Sequence, residues 1–164
     1  PAAGYSYEQE CGDDRPLSPG LLRPERQTSG LMGLKAEYFN NPDLHGAPVV
    51  VRVDTNFCPY WGTASPAEGV RADSFSVRWT GSLLPLRSGR HRFSLVADER
   101  ARLYVGDTLL INCWENSRNA RRTGDIVLES GKTYDIRIEF AELLGWAGVR
   151  YGVLCPARHL RSLK

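Results

Sequence analysis

At 164 residues the chain is long enough for one domain that buries about 70% of the surface its unfolded form exposes, so no metal is needed merely to fold it. The formal charge of +2 is too small to mark a nucleic-acid or membrane surface, and no apolar run reaches the roughly 18 residues that insertion into a membrane requires. Gly 16 and Pro 10 against one Met, in short alternating segments without a helical period, point to an all-β chain.

Residues 1–10, PAAGYSYEQE, lack the apolar core of a signal peptide, so the chain is expected to be mature or an excised domain. Pro1, Pro16, Pro19 and Pro24 break up the first thirty residues, which carry mixed charge and no alternation. An irregular amino-terminal arm over 1–30 is predicted. From Gly33 the pattern tightens: Leu34, Ala36, Tyr38 and Phe39 mark a strand, Asn40-Asn41-Pro42-Asp43 stops it, and Val49 to Val53 marks another. Residues 54–74 form a long connection carrying Phe57, Tyr60 and Trp61, which are costly to leave in water. It is predicted to pack across a sheet as a compact lid.

Phe75, Val77 and Trp79 then alternate with Ser76, Arg78 and Thr80, and His91, Phe93, Leu95 and Ala97 repeat the pattern. Pro85 and Ser88-Gly89 lie between, so the two runs read as a hairpin. The second run ends on an acidic pair, Asp98-Glu99. Ala101, Leu103 and Val105 follow, then the turn Gly106-Asp107 and a strand over Leu109 to Asn112. After Trp114 comes a polar stretch with Arg118, Arg121 and Arg122, read as solvated loop or as a contact for an anionic or sugar ligand. Asp125 to Leu128 and Tyr134 to Phe140 read as a second hairpin around Ser130-Gly131, and the last strand runs from Ala147 to Leu154. The expected architecture is a single antiparallel β-sandwich, jelly-roll-like, over residues 31–155, followed by a basic tail over 156–164.

Four cysteines, Cys11, Cys58, Cys113 and Cys155, are even in number and lack the C-x-x-C spacing of a zinc site. A disulfide framework in an oxidising compartment is the expectation, with three connectivities open and one or more buried free thiols as the alternative. Cys11 and Cys155 near the two ends favour a bridge to each other, which leaves Cys58 with Cys113. Catalytic signatures are absent: there is no G-x-S-x-G, H-E-x-x-H, P-loop or G-x-G-x-x-G. His45, His91 and His159 have no neighbouring nucleophile, and Asp98 with Glu99 are adjacent in sequence rather than opposed across a cleft. No enzyme is expected.

The order GLKAEYF, DSFSVRWTGSLLP, SGRHRFSLVADERARLYVGD, LLINCW, SGKTYDIRIEF, GVRYG resembles the PA fourteen domain family, named after the amino-terminal portion of anthrax protective antigen. The most specific elements are R-W-x-G at Arg78, Trp79 and Gly81 and L-Y-V-G-D at Leu103 to Asp107. The resemblance implies an antiparallel sandwich of the kind found in secreted glycosidases, adhesins, toxins and signalling proteins. In adhesin members it implies a calcium-dependent lectin, whose two adjacent aspartates, joined by a cis peptide, fall here at Asp98 and Glu99. The family's second calcium loop falls on Ala141 to Ala147, with Glu142 where an asparagine would stand and Leu144 and Trp146 at the backbone carbonyl positions. Calcium takes six to eight oxygen ligands, so a carboxylate and carbonyl set is chemically coherent.

Trp114 with Glu115, Asn116 and Asn119, and Trp146, are the candidates for sugar contact, because an aromatic face covers sugar C–H surface while carboxylates and amides bond the hydroxyls. The function expected is a non-catalytic carbohydrate-binding module of a secreted or cell-surface protein. Its partners would be a glycan or cell-surface polysaccharide and neighbouring domains of a larger protein. The rival expectation is a structural or protein-interaction domain, as in toxin precursors, with no sugar or metal ligand.

Overall fold

The computed structural model describes residues 22–23, 33–55, 59–115 and 121–154. Eleven strands run through these residues: β1 (Leu22–Arg23), β2 (Leu34–Phe39), β3 (Val50–Asp54), β4 (Tyr60–Gly62), β5 (Phe75–Leu83) and β6 (Gly89–Ala97), then β7 (Arg100–Val105), β8 (Thr108–Cys113), β9 (Arg122–Leu128), β10 (Tyr134–Glu142) and β11 (Ala147–Leu154). Two antiparallel sheets face each other: β3-β2-β5-β10-β7-β8, with β1 added beside β5, and β4-β11-β6-β9. The chain is an all-β sandwich, and no helix among the described residues is long and apolar enough to cross a membrane.

The inward phase of each strand makes the core. Phe75, Val77 and Trp79 on β5 and Ile136, Ile138 and Phe140 on β10 meet Phe93 and Leu95 on β6 and Tyr151 on β11, all of them buried. His91 is inward and buried as its alternation predicts, with Nδ1 3.0 Å from the Gly89 carbonyl. Trp61 enters from β4, parallel to Trp79 at 6.4 Å between centroids and edge-on to Phe75 at 5.6 Å. The predicted lid is therefore correct for Trp61 and wrong for Tyr60, its neighbour in a strand, which faces the other way and is 52% exposed. Phe57 lies outside the described residues.

One polar knot is built into the core edge. Asp54 accepts hydrogen bonds from Tyr38 Oη at 2.6 Å and Trp79 Nε1 at 2.9 Å, and its other oxygen accepts from Arg52 Nε at 2.6 Å. Burial and the Asp54 carboxylate push the Tyr38 hydroxyl well above its ordinary range. Asp54→Ala would strand two buried donors, each costing about 1–3 kcal/mol. The expected outcome is a loss of about 2–3 kcal/mol in urea unfolding, whereas a loss under 0.5 would show that water replaces the carboxylate.

Both predicted hairpins around β5–β6 and β9–β10 are corrected by the pairing. β5 pairs with β10, β2 and β1, while β6 pairs with β11 and β9, so each connection crosses from one sheet to the other. Alternation identifies the inward face of a strand but not its neighbour, and two strands facing across a sandwich carry the same pattern as two strands side by side. The Gly106-Asp107 turn does close a hairpin, β7 against β8, with Gly106 at φ 57. The arm predicted to be irregular contributes β1, two residues that pair with Leu83 and Ser82 of β5. Cys113 is a buried free thiol, so the bridge expected between it and Cys58 is not formed. Cys11, Cys58 and Cys155, and the predicted basic tail, lie outside the described residues.

Candidate functional site

One end of the sandwich gathers the acidic residues by strand parity. At that end β5 begins opposite the close of β10, Phe75 against Glu142, and β7 begins opposite β10 at Arg100 against Ala141. β6 closes opposite β11 at Ala97 against Val149. Glu142 continues the inward series Ile136, Ile138, Phe140; Asp73 precedes the inward series Phe75, Val77, Trp79; and Glu99 falls between inward Ala97 and Ala101. Three carboxylates thus occupy core-facing positions where the strands run out, with Asp98 beside them.

Two of these carboxylates hold the loop between β10 and β11. Glu99 accepts the Leu143 amide at 2.5 Å and Asp73 accepts the Gly145 amide at 2.9 Å. Ser74 donates to the Leu143 carbonyl from its amide at 3.2 Å and its hydroxyl at 3.3 Å. The Asp98 amide donates to the Gly148 carbonyl at 3.1 Å, tying the acidic pair to the start of β11. Loop 143–146 is therefore pinned from below, and its side chains Leu144 and Trp146 stand out into solvent at 75% and 62% exposure.

Glu142 differs from its neighbours. It is 0% exposed, and neither carboxylate oxygen has a hydrogen-bond partner. Burial, then the negative charges of Glu99, Asp98 and Asp73, push its pKa up to about 8. A buried carboxylate surrounded by other carboxylates is stabilised by a proton or by a cation, and an oxygen-rich set of this kind suits a hard cation such as calcium. As they stand among the described residues, no three acidic, histidine or cysteine side chains form a ready-made cage. Among the described residues there is also no cis peptide, so Asp98-Glu99 departs from the adhesin-type dipeptide in its backbone as well as in its longer side chain.

The predicted aromatic candidates separate. Trp146 lies beside Tyr60 of β4, with ring centroids 6.2 Å apart. Trp114 follows β8 of the larger sheet and is half-buried, with the Arg102 guanidinium 4.2 Å over its ring. One face of that indole is thus already occupied by a cation–π contact. Glu115 is exposed, and Asn116 and Asn119 lie outside the described residues. Two site residues were missed by sequence reasoning, Asp73 and Tyr60. Asp73 was legible as the inward position preceding Phe75; Tyr60 was not, because its aromatic character argued for burial.

Comparison with known proteins bears on the whole domain. A family model described as PA14 domain matches residues 30–160. The anti-sigma-I factor RsgI3 of Acetivibrio thermocellus is 38% identical over 108 residues, which are 66% of this chain and 17% of that protein. Among solved structures, an anti-sigma factor domain-containing protein from Clostridium clariflavum is 37% identical with a TM-score of 0.69, covering 76% of this chain and 42% of the other. The Epithelial Adhesin 9 A domain from Candida glabrata, solved in complex with Galb1-3GlcNAc, shares the fold at TM-score 0.58 and 13% identity, covering 76% and 82% of the two chains. The chain thus spans about a sixth of the curated relative it matches.

Proposed function

Because this chain belongs to the PA14 domain family, we propose that it is a non-catalytic carbohydrate-binding module whose binding depends on calcium held at Glu142, Glu99 and Asp98. The observation that carries this reading is Glu142, buried with both oxygens unpartnered among three further carboxylates. Bound calcium would supply a Lewis-acidic centre for a sugar's vicinal hydroxyls. The chain's own residues do the rest. Asp73, Glu99 and Ser74 fix loop 143–146, and that loop presents Trp146 where a pyranose ring can lie against it. The structure of a fold relative in complex with a disaccharide supports the sugar class.

The matches to anti-sigma factors at 37% and 38% identity favour a particular setting for this module. It would be the ligand-sensing part of a longer regulatory protein, placed on the secreted or cell-surface side where polysaccharide is met, rather than an adhesin or an enzyme's accessory domain. Nothing in this reading requires a catalytic residue.

Thermal unfolding with and without calcium tests the metal, and glycan-array screening under both conditions tests the sugar. Calcium at 100 times its dissociation constant adds about 2.7 kcal/mol, about 5–10 °C in a domain of this size. That shift should vanish in Asp98→Ala together with the array signal. A melting point unmoved by millimolar calcium, or array signal that persists in chelator, would sink the calcium dependence; a blank array under both conditions would sink the sugar.

A further inference from the structure

Tyr60 and Trp146 form a pair that the acidic cluster does not explain. Both are large aromatic residues more than half exposed, at 52% and 62%, although burying either ring would be strongly favourable. Tyr60 lies on β4 and Trp146 directly precedes the neighbouring strand β11, where Ala147 pairs with Gly62 and Gly148 with Tyr60. The floor beneath them is glycine. A Cβ on Gly62 would lie 3.8 Å from the Trp146 ring and 3.9 Å from the Tyr60 ring, and a Cβ on Gly148 would meet Tyr60 Cδ2 at 2.9 Å. Both rings therefore rest against bare backbone on the edge of the smaller sheet, 6.2 Å between centroids and inclined by 31°. Trp146 is held there by the pinned loop, since its neighbour Gly145 is bonded to Asp73.

We infer that Tyr60 and Trp146 are a two-ring platform for consecutive units of a polysaccharide chain, so that the ligand is the interior of an extended β-1,4-linked glycan rather than a single terminal sugar. This inference rests on the carbohydrate-binding reading above. Equatorially linked pyranoses present flat C–H faces along a ribbon, and successive units repeat at about the length of one ring, which the centroid spacing matches. A terminal monosaccharide would need one ring beside the cation, and Trp146 alone would supply it. Tyr60 is the residue that adds the second unit, and Gly148 is a positioning residue that lets its ring lie down.

The test is calorimetric titration of the full chain, in millimolar calcium, with glucose, xylose and mannose and with their β-1,4-linked tetramers. At least one tetramer should bind about tenfold or more tighter than its own monosaccharide. Tyr60→Ala should remove that advantage, with a melting point within about 2 °C of the parent because the side chain is largely exposed. Gly148→Ala should also remove most of it while both rings remain in the sequence, because the added methyl displaces Tyr60. If a monosaccharide binds as tightly as its tetramer, or Tyr60→Ala keeps the full advantage, the platform is overturned while the sugar reading stands. If no sugar of the panel binds at millimolar concentration, this inference falls, and the sugar reading falls with it only where the glycan array is blank as well.

Discussion

Replacing Glu142 with glutamine is expected to make the calcium-free protein more stable at alkaline pH, not less. Burial and three neighbouring carboxylates lift the Glu142 pKa from an ordinary value of 4.5 to about 8 in the folded state. A group whose pKa is raised by folding contributes stability that is fully present below the unfolded value and lost as pH rises through the folded one. The native protein should therefore weaken between pH 4.5 and about 8, by up to about 5 kcal/mol. The glutamine carries no charge at any of these pH values, and its amide can donate to the surrounding carboxylates. Its stability profile over the same window should be flatter. On the calcium reading proposed above, the cation has to displace the Glu142 proton, so its affinity for the native protein should climb toward pH 8 and its stabilising effect should be absent from Glu142→Gln. Urea unfolding of both proteins at about pH 5, 7 and 9, with and without calcium, reads all of this. Parallel profiles for the two would mean that Glu142 is not the titrating group.

Glu139→Gln is expected to do the opposite. Glu139 lies on the outward face of the same strand and is 2% exposed, because arginines cover it. Arg78 Nε donates to it at 2.9 Å, Arg102 Nε at 2.5 Å, and Arg137 stands 3.7 Å away. Burial alone would raise its pKa, but the hydrogen bonds and charges of Arg78 and Arg102 outweigh burial and hold the carboxyl below its usual range. Removing the charge leaves three guanidiniums facing one another. The cost should be about 3 kcal/mol, the low end for breaking a buried pair, since Arg78 and Arg102 remain about a third exposed to screening solvent and Arg137 is more exposed still. The folded pKa here is depressed, so the contribution is present above 4.5 and lost as pH falls through the folded value. The gap between the two proteins in urea unfolding should close under acid conditions, and a gap that stays constant to low pH would refute the assignment.

These two carboxylates, three positions apart on β10, show where sequence reasoning succeeds and where it stops. Period-two alternation revealed the strands and their inward faces, down to Trp79 and His91. Carried one step past Phe140, the same rule puts Glu142 in the core, and carried one step before Phe75 it puts Asp73 there. The acidic end was legible by parity. Pairing was not: β5 with β6 and β9 with β10 sit in opposite sheets, and nothing in a strand's own residues states which neighbour it will have. Tyr60 was illegible for a related reason. Its exposure follows from the two glycines that Trp146 and Tyr60 lie against, and those glycines come from strands 86 positions apart in the chain. The expected cysteine bridge to Cys113 failed because spacing counts cysteines without placing them.

Two of the arches between the sheets, β5–β6 and β9–β10, also touch each other. The Gly131 amide reaches the Pro85 carbonyl at 3.4 Å, and the Ser130 amide bonds the Ser88 hydroxyl at 2.9 Å. The chain changes sheet after β3, β4, β5, β6, β8, β9 and β10. Neither sheet can therefore be completed by a continuous stretch of chain, and β10 must wait for both β5 and β7 before its edges are filled. Assembly of this kind has few local footholds beyond the β2–β3 and β7–β8 pairs, which makes it slow and strongly all-or-none. The acidic end is then as firm as the whole domain, because β10, which ends on Glu142, and β11, which starts directly after Trp146, cannot peel away without unlocking both layers.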